Sequence, residues 1–237
     1  MRRIGDAVGS FSKHRTWFTP DVRTLAFLHT ADVHVATFSG LASEVAPGAM
    51  DVHLVDAQLL SDARRHGLDA GLEARVLARL RELALRAPGA IVCTCSTIGG
   101  SAERLAQEIG TPVVRIDRPM AESAVAHGGR VALVVAVDST LVPTRHLFEE
   151  CAADAGSDVT LVDAPCLDAW ERFEAGDHAG YLDHLARHVR GLADDVDVVV
   201  LAQASMAPAA DLVGDLSIPV LSSPRLAVLR AVELADA

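Results

Sequence analysis

The chain has few aromatic residues and no long apolar run. Phe, Trp and Tyr make up only 4% of its 237 residues, whereas 50% are hydrophobic, so the core must be built mainly from Ala, Val, Leu and Ile. Such a core is typical of helices packed on buried parallel strands. The longest apolar runs, such as Val131–Val137, have the length of a strand and fall far short of the roughly 18 to 20 residues that span a bilayer. We therefore expect no membrane association.

Clustered positive charge is also missing. The chain carries 21 Lys and Arg against 32 Asp and Glu, a formal net charge of −11 at pH 7. Because nucleic-acid binding requires a basic surface that neutralises phosphates, no nucleic-acid partner is expected. No Walker-type or G-x-G-x-x-G loop occurs either, which argues against nucleotide chemistry. The expected partner is a small molecule.

The four cysteines lack the paired spacing of a zinc site. They are Cys93, Cys95, Cys151 and Cys166, and a metal held by the first two would need further ligands that the sequence does not place. The opening Met-Arg-Arg is not followed by the apolar stretch of a secretory signal peptide. A cytoplasmic location with reduced thiols is therefore expected.

Three histidines occur at helical spacing in the last third of the chain. His178, His184 and His188 are placed so that at least two share one face of a predicted helix, as zinc ligands sometimes do. The sequence alone puts no carboxylate or cysteine beside them. A solvated helix face is therefore the expectation, and neither a metal nor another cofactor is predicted.

From residue 24 onward, short apolar runs alternate with helical patterns. The predicted strands are Thr24–His29, Val52–Val55, Ala90–Cys95, Val113–Ile116, Arg130–Val137, Val159–Val162, Asp197–Ala202 and Val220–Leu221. The clearest helix covers Leu72–Ala87, where apolar residues recur on one face and Pro88-Gly89 ends the pattern. Alternating strands and helices predict an α/β fold with parallel sheets and right-handed crossovers.

An internal repeat divides this pattern into two halves. Ile91–Thr97 and Val199–Ser205 are each an apolar strand that ends in small polar residues, followed by a helix, a proline and another strand. The repeat predicts two pseudo-symmetric lobes whose equivalent turns face each other across a cleft. Two unrelated βαβ units would also look alike, and that alternative stays open. We assign residues 1–22 to an N-terminal extension, 23–118 with 207–237 to lobe 1, and 119–206 to lobe 2.

Cys95 lies where a buried strand is predicted to end and a helix to begin. The helix N-terminus favours a thiolate there, and the free N–H groups around Ser96 and Thr97 can bind a carboxylate or an enolate oxygen. Gly99 and Gly100 would let a substrate approach the backbone closely. The alternative is a small cysteine that is buried as a hydrophobe.

Two motifs carry a family resemblance. The run Cys93–Thr97 resembles the first cysteine motif, Cys-Asn-Thr, of the aspartate/glutamate racemase superfamily, and Asp197–Ala204 is similar to its second motif, Asp-x-Val-Val-Leu-Gly-Cys-Thr. Arg130–Val137 followed by Thr140 resembles the family strand whose loop hydroxyls hold a substrate carboxylate. The resemblance covers roughly residues 24–237. It implies cofactor-independent proton transfer at the carbon next to a carboxylate, with one cysteine from each lobe on opposite faces of that carbon.

One position departs from the family pattern. Gln203 stands where the second cysteine is expected, and a glutamine cannot act as an acid or base near neutral pH. Cys151, in a predicted helix, and Cys166, in a predicted turn, do not obviously replace it. Only half of the two-thiol racemase mechanism is therefore visible in this sequence.

The expected site residues follow from the repeat and the resemblance. Cys95 is the expected acid–base cysteine, and His29, at the end of the first strand, is the candidate for a second acid–base group. A histidine at a strand end is also often simply hydrogen-bonded. The residues expected to bind the substrate are Ser96, Thr97, Thr140, Gln203 and Ser205. For Thr140 the alternative is helix N-capping ahead of Pro143.

Three functions are compatible with the sequence. The first is an isomerase or racemase that acts at the carbon alpha to the carboxylate of a small acid or amino acid, with Cys95 as the acid–base group. The second is a decarboxylase of malonate-type acids, for which one proton donor suffices. The third is a small-carboxylate-binding protein without turnover, motivated by Gln203. The high apolar fraction also leaves a homo-oligomer open.

Overall fold

Eight parallel strands form two four-stranded sheets in the computed structural model, which describes residues 23–237. The predicted extension over residues 1–22 lies outside the described residues. The strands are β1 Thr24–His29, β2 Met50–Val55, β3 Ala90–Cys93, β4 Val113–Arg115, β5 Gly129–Val135, β6 Val159–Pro165, β7 Val198–Leu201 and β8 Val220–Ser222. Their order is β2-β1-β3-β4 in sheet 1 and β6-β5-β7-β8 in sheet 2.

Helices connect successive strands throughout the described chain. They are α1 Val33–Val45, α2 Ala57–His66, α3 Ala70–Ala84, α4 Ser96–Arg104, α5 Arg118–His127, α6 Leu141–Ala155, α7 Ala169–Glu174, α8 His178–Leu192 and α9 Ser223–Ala235. Short 3₁₀ segments cover Leu105–Glu108, Asp138–Thr140 and Ala204–Val213. Within residues 23–237, no helix is long and apolar enough to cross a membrane.

The two sheets repeat one topology. In each, the first and third strands of the lobe are central, while the second and fourth form the edges. The central strands β3 and β7 consist of four fully buried apolar residues each, as expected for strands covered on both faces. The predicted α/β fold with two pseudo-symmetric lobes is therefore confirmed.

Side-chain alternation explains why helices cover both faces of each sheet. In β1, Ala26 and Leu28 pack with α2, α3 and α4, whereas Leu25 and Phe27 pack with α1 and α9. In β5, alternate residues likewise divide between a cluster containing α8 and a cluster containing α5 and α6. Each lobe thus has two apolar layers, and the carboxyl ends of its strands remain available for a site.

The chain passes between the lobes twice. It leaves sheet 1 after β4 and enters lobe 2 at α5, and it returns after β8, because α9 packs on sheet 1. The sequence-based boundary, which puts 207–237 in lobe 1, differs from this arrangement. Ala209 and Val213 pack in the lobe 2 core, and β8 pairs with β7. Only the final helix joins lobe 1, and strand pairing between distant segments cannot be read from local pattern.

Some strands and helices begin or end at other residues than predicted, because N-cap residues set those boundaries. The first predicted strand matches β1. The strand predicted over Ala90–Cys95 stops at Cys93, because Cys95 is the N-cap of α4. The helix predicted over Leu72–Ala87 starts earlier, at Ala70, since the side chain of Asp69 accepts a hydrogen bond of 2.8 Å from Leu72 N and caps it.

Candidate active site

Loops at the carboxyl ends of strands in both sheets converge on one small cavity. It has a volume of about 90 Å³. Its lining combines hydroxyl groups, one thiol, an imidazole and a guanidinium. The lining residues are Thr30, His34, Leu60, Arg64, Thr94, Cys95, Ser96, Thr97, Thr140, Trp170, Gln203, Ala204 and Ser205. This is the position in which open α/β folds bind their ligands.

Lobe 1 contributes the thiol and the start of a helix. Cys95 follows β3 in an extended conformation, occupies the N-cap position of α4 and is 7% exposed. Ser96 and Thr97 are the first two residues of that helix. Because the first N–H groups of a helix have no intrahelical acceptor, they are available to an anion in the cavity.

Lobe 2 contributes polar side chains from three of its strand ends. Thr140 follows β5, Trp170 lies in α7 after β6, and Gln203 follows β7. Gln203 occupies the N-cap position of the 3₁₀ segment Ala204–Val213 in an extended conformation, as Cys95 does for α4. The two residues therefore occupy equivalent positions in the two lobes.

The Gln203 amide is engaged in the fold. Its Oε1 accepts a hydrogen bond of 2.6 Å from Ala136 N. This contact joins the end of β7 to the segment that follows β5. A thiol at that position would be an acid–base group, whereas this amide fixes the backbone of lobe 2 beside the cavity.

The two predicted serines also have hydrogen-bond partners in the fold. Ser96 Oγ lies 3.5 Å from Ala202 O, so the start of α4 meets the end of β7. Ser205 Oγ lies 3.0 Å from the Tyr181 hydroxyl. Burial raises the pKa of Tyr181 to about 12, so this phenol keeps its proton at neutral pH and can donate to Ser205.

The structure brings six of the seven sequence-predicted site residues around this cavity. They are Cys95, Ser96, Thr97, Thr140, Gln203 and Ser205. His29 does not line it: the side chain is fully buried, and its face of β1 is the one that carries Phe27. Strand alternation therefore directs His29 into the layer between sheet 1 and α1.

His29 instead belongs to a chain of hydrogen bonds that ends at the cavity. Its Nδ1 lies 2.8 Å from Thr94 Oγ1, and its Nε2 lies 2.8 Å from Nδ1 of His53. Since the Thr94 hydroxyl donates to Leu28 O at 3.1 Å, it accepts from His29. Beyond His53, Nε2 is 2.9 Å from Asp51 Oδ2. His29 thus fixes the side chain of Thr94, which lines the cavity, without lining the cavity itself.

Burial keeps His29 neutral. It lowers the pKa of His29 to about 3, and the nearby His53 and His34 add to the shift. Hydrogen bonds from Ser39 and then from His53 hold the pKa of Asp51 below its ordinary value. This series of hydrogen bonds therefore has the Asp51 carboxylate at its surface end and the neutral imidazole of His29 beneath the cavity.

The cavity includes residues that sequence reasoning missed. His34 lies in the first turn of α1, and burial lowers its pKa. Arg64 lies in the last turn of α2, where a cation is also expected simply to complement the helix dipole. No local pattern separates that structural role from a place at the cavity. The nearest signal for His34 was its closeness to the end of β1.

The other cysteines lie away from the cavity. Cys93 is fully buried within β3, and burial raises the pKa of its thiol. Burial likewise raises the pKa of Cys151 and of Cys166 to about 11. Among the described residues, Cys95 is the thiol that lines the cavity.

Gly99 and Gly100 leave space for Arg115 and not, as expected from the sequence, for a substrate. A Cβ at Gly99 would lie 2.8 Å from Arg115 Cγ, so Arg115, rather than a substrate, occupies the space above this part of α4. Arg115 Nε donates to Asp117 Oδ1 at 2.6 Å, and its Nη2 donates to Pro143 O at 3.1 Å. The buried guanidinium thereby connects β4 with α6 of lobe 2.

Comparisons with known proteins agree with this architecture. The model of the Asp/Glu/Hydantoin racemase family matches residues 30–231, and the chain therefore belongs to that family. A search of curated protein sequences finds no significant match.

Solved structures resemble the chain in fold at low sequence identity. Aspartate racemase from Picrophilus torridus has a TM-score of 0.69 and 13% identity, with 90% of this chain and 94% of that chain covered. Allantoin racemase from Klebsiella pneumoniae has a TM-score of 0.63 and 19% identity, covering 90% and 88%. A point mutant of arylmalonate decarboxylase has a TM-score of 0.56 and 16% identity, covering 90% and 94%.

The packing of Arg115 over α4 predicts an unusual cost for a small substitution. Gly99→Ala should lower the free energy of unfolding by about 1–3 kcal/mol, because the new Cβ overpacks a buried, ion-paired side chain. Urea denaturation measures the effect. Gly40→Ala in α1 is the matched control, since a Cβ there meets no atom within 4 Å; it should raise stability by up to about 1 kcal/mol. Equal stabilities of the two variants would contradict this packing.

The low pKa of His29 predicts acid sensitivity. The unfolded chain takes up a proton near the ordinary pKa of 6.5, whereas folded His29 stays neutral down to about 3. The unfolded state therefore binds more protons in this window, and stability falls as the pH drops from about 6.5 towards 3, by at most about 1.4 kcal/mol per pH unit for one group.

A pH series of urea denaturation curves tests this linkage. His29→Gln should be less stable at pH 7 but lose less stability between pH 7 and 4 than the wild type. His66→Gln, at an exposed histidine in the last turn of α2, should keep the wild-type slope. An unchanged slope in His29→Gln would show that another group carries the acid sensitivity.

Proposed function

We propose that the chain is a cofactor-independent racemase or isomerase that moves a proton at the carbon next to the carboxylate of a small acid. The observation that carries this proposal is the place of Cys95. Its thiol lies in a cavity between the two lobes, at the start of a helix and among hydroxyl groups. A positioned acid–base group next to anion-binding donors is what proton abstraction alpha to a carboxylate requires.

The cavity suggests a division of work around the reacting carbon. In one direction of the reaction the Cys95 thiolate removes the proton, and the N–H groups of Ser96 and Thr97 stabilise the oxyanion that develops on the carboxylate. Arg64 pairs with the negative charge of the substrate, and Thr140 and Ser205 orient it. A carbon acid of this kind is much weaker than a thiol, so positioning and oxyanion stabilisation must supply most of the rate enhancement.

The second acid–base group is His34 in this proposal. It lines the same cavity as Cys95, whereas His29 does not. Burial lowers the pKa of His34, so the imidazole is neutral at pH 7. In one direction it removes the alpha proton while the Cys95 thiol donates one to the opposite face. In the reverse direction the resulting thiolate removes the proton and the imidazolium returns one. Gln203 occupies the position of a second thiol in lobe 2, but its amide oxygen accepts a hydrogen bond from the backbone N–H of Ala136. A racemase without a second cysteine therefore needs a group such as His34 to complete its reaction.

An adjoining cavity suggests the kind of substituent the substrate carries. This second cavity has a volume of about 220 Å³ and shares His34, Ala204 and Ser205 with the first. The rest of its wall is mainly apolar, formed by residues such as Val33, Leu182 and Pro208. We propose that the carboxylate and the reacting carbon lie beside Cys95 while an apolar substituent extends into this second cavity.

Decarboxylation is the second candidate. Gln203 favours it, because the loss of CO₂ from a malonate-type acid leaves an enolate that one proton donor can quench. Cys95 would supply that proton from one face. The fold is shared with arylmalonate decarboxylase as well as with racemases, so the fold does not discriminate between the two reactions.

Replacement of the thiol tests both reactions. Cys95→Ser should reduce turnover by at least about 100-fold, the usual scale for loss of an acid–base group. Proton NMR in D₂O, with amino acids, hydantoins, maleate and substituted malonates, measures exchange of the alpha proton and loss of CO₂. Cys151→Ser is the matched control, because Cys151 is buried in lobe 2 away from the cavity, and it should retain wild-type rates.

The outcomes separate the hypotheses. Exchange at the alpha carbon that depends on Cys95 supports a racemase or isomerase, and CO₂ release without exchange of the substrate supports the decarboxylase. Equal rates in wild type and Cys95→Ser would remove Cys95 from the mechanism. Binding without any conversion across the panel would favour a carboxylate-binding protein.

The role of Arg64 has its own test. Once a substrate is identified, Arg64→Gln should lower kcat/KM by about 10- to 100-fold, mainly through KM, since a charged hydrogen bond contributes about 1.5–3 kcal/mol. Arg65→Gln is the control, because Arg65 lies on the same helix but pairs with Asp62 at 2.8 Å. A change in both variants of similar size would point to bulk charge instead of a direct contact.

A further inference from the structure

Three metal-ligating side chains meet at the carboxyl end of β6. Cys166 and Asp168 lie in the turn between β6 and α7, and His184 lies on α8. One ligand atom from each lies within 4.8 Å of the other two. His184 Nε2 is 3.1 Å from Asp168 Oδ2, and Cys166 Sγ is 3.8 Å from Asp168 Oδ1. The cysteine and the carboxylate that the sequence could not place beside His184 are therefore present.

We propose that Cys166, Asp168 and His184 form a binding site for a thiophilic divalent cation such as Zn²⁺. Sulfur, imidazole nitrogen and carboxylate oxygen are its usual protein ligands, at about 2.0–2.3 Å from the metal. Tetrahedral geometry then separates neighbouring ligand atoms by about 3.3–3.8 Å. The separations of 3.1 and 3.8 Å involve different oxygens of Asp168, and the three ligand atoms lie within 4.8 Å of one another, so side-chain movement within this turn brings them to a common ion.

The charges of the three ligands suit a divalent ion. A thiolate and a carboxylate neutralise two positive charges, and a neutral imidazole completes a set of three. Binding of the metal to Cys166 forms an S–metal bond and releases the thiol proton to solvent.

The proposed metal site is open to solvent, and the elements that carry its ligands are held together by other contacts. Cys166 is 2% exposed and packs in the lobe 2 core, while the Asp168 side chain is 73% exposed. A metal can thus enter from solvent, and water can occupy its fourth coordination position. His188, one turn further along α8, holds that helix to β6 through a contact of 3.1 Å between its Nε2 and Ala164 O. The ligands consequently lie on two elements that are already fixed to each other.

A metal at this site would act on the Cys95 cavity only indirectly. Cys166, Asp168 and His184 are not among the residues that line that cavity, but Trp170 of the adjacent helix α7 is. The ion would fasten the turn before α7 to α8 and thereby hold Trp170 in place. The site is separate from the proposed reaction, so its existence does not depend on that function.

Cobalt provides the direct test, because Co²⁺ bound by a thiolate in tetrahedral geometry gives a near-ultraviolet charge-transfer band and strong visible bands. One equivalent of Co²⁺ added to the reduced full chain should produce both bands, and Zn²⁺ should displace them. Cys166→Ser should abolish the charge-transfer band. Asp168→Asn and His184→Gln should each weaken Zn²⁺ binding by at least about 10-fold. Circular dichroism verifies that each variant is folded.

Matched cysteine variants make the result decisive. Cys95→Ser and Cys151→Ser should keep the cobalt spectrum, and Zn²⁺ should raise the Tm of the wild type but not of His184→Gln. Absence of the charge-transfer band in the wild type would overturn the proposal. Its persistence in folded Cys166→Ser, or its loss in Cys95→Ser, would do so as well. None of these measurements uses turnover, so a failed racemase assay leaves the result intact.

Discussion

The buried ion pair between Arg115 and Asp117 constrains the part of the molecule on which the site depends. Both side chains are removed from solvent, and a buried charge is tolerated only when its partners are fixed. Asp117 directly precedes α5, where the chain enters lobe 2, and Arg115 reaches both Gly99 in α4 and the backbone of α6. One guanidinium therefore joins the helix that Cys95 caps to the opposite lobe.

This arrangement gives the cavity an unequal division of roles. Lobe 1 provides the thiol, the start of α4, the imidazole of His34 and the guanidinium of Arg64. Lobe 2 provides hydroxyls and the Gln203 amide, whose oxygen holds the backbone after β5. A pseudo-symmetric fold has thus been made chemically asymmetric by one residue. In the proposed reaction both proton-transfer groups, Cys95 and His34, therefore come from lobe 1.

Much of the architecture was predictable because it follows from local pattern. The buried runs that became β1, β3 and β7 are recognisable by composition, and the small polar residues after β3 and β7 mark the cavity. The direction of the His29 side chain was predictable too. Side chains alternate along a strand, so His29 shares the face of Phe27 and points away from the strand-end cleft. A histidine beside a strand end invites a catalytic interpretation, and that interpretation overlooked the two-residue period of the strand.

Other features depend on contacts between distant segments. The sequence around Arg64 does not distinguish a cavity residue from a helix-terminal cation. The sequence around His184 does not reveal that Cys166 and Asp168 lie beside it, because that contact arises when the turn after β6 folds back onto α8. The pairing of β8 with β7 and the return of α9 to sheet 1 are of the same kind. Such relations are set by how elements pack, which a sequence without its fold does not display.

The return of α9 has a consequence for how the chain is made. The strands of sheet 1 are synthesised before those of sheet 2, yet one of the two faces of sheet 1 is covered partly by α9, through Ala227, Val228 and Ala231. Domains usually form as units in the order of synthesis, but here lobe 1 must wait for α9, which is synthesised after lobe 2. Lobe 2 can complete its core while lobe 1 still exposes an apolar face. The core of lobe 1 is therefore complete only after α9, which follows the last strand of lobe 2, has been synthesised.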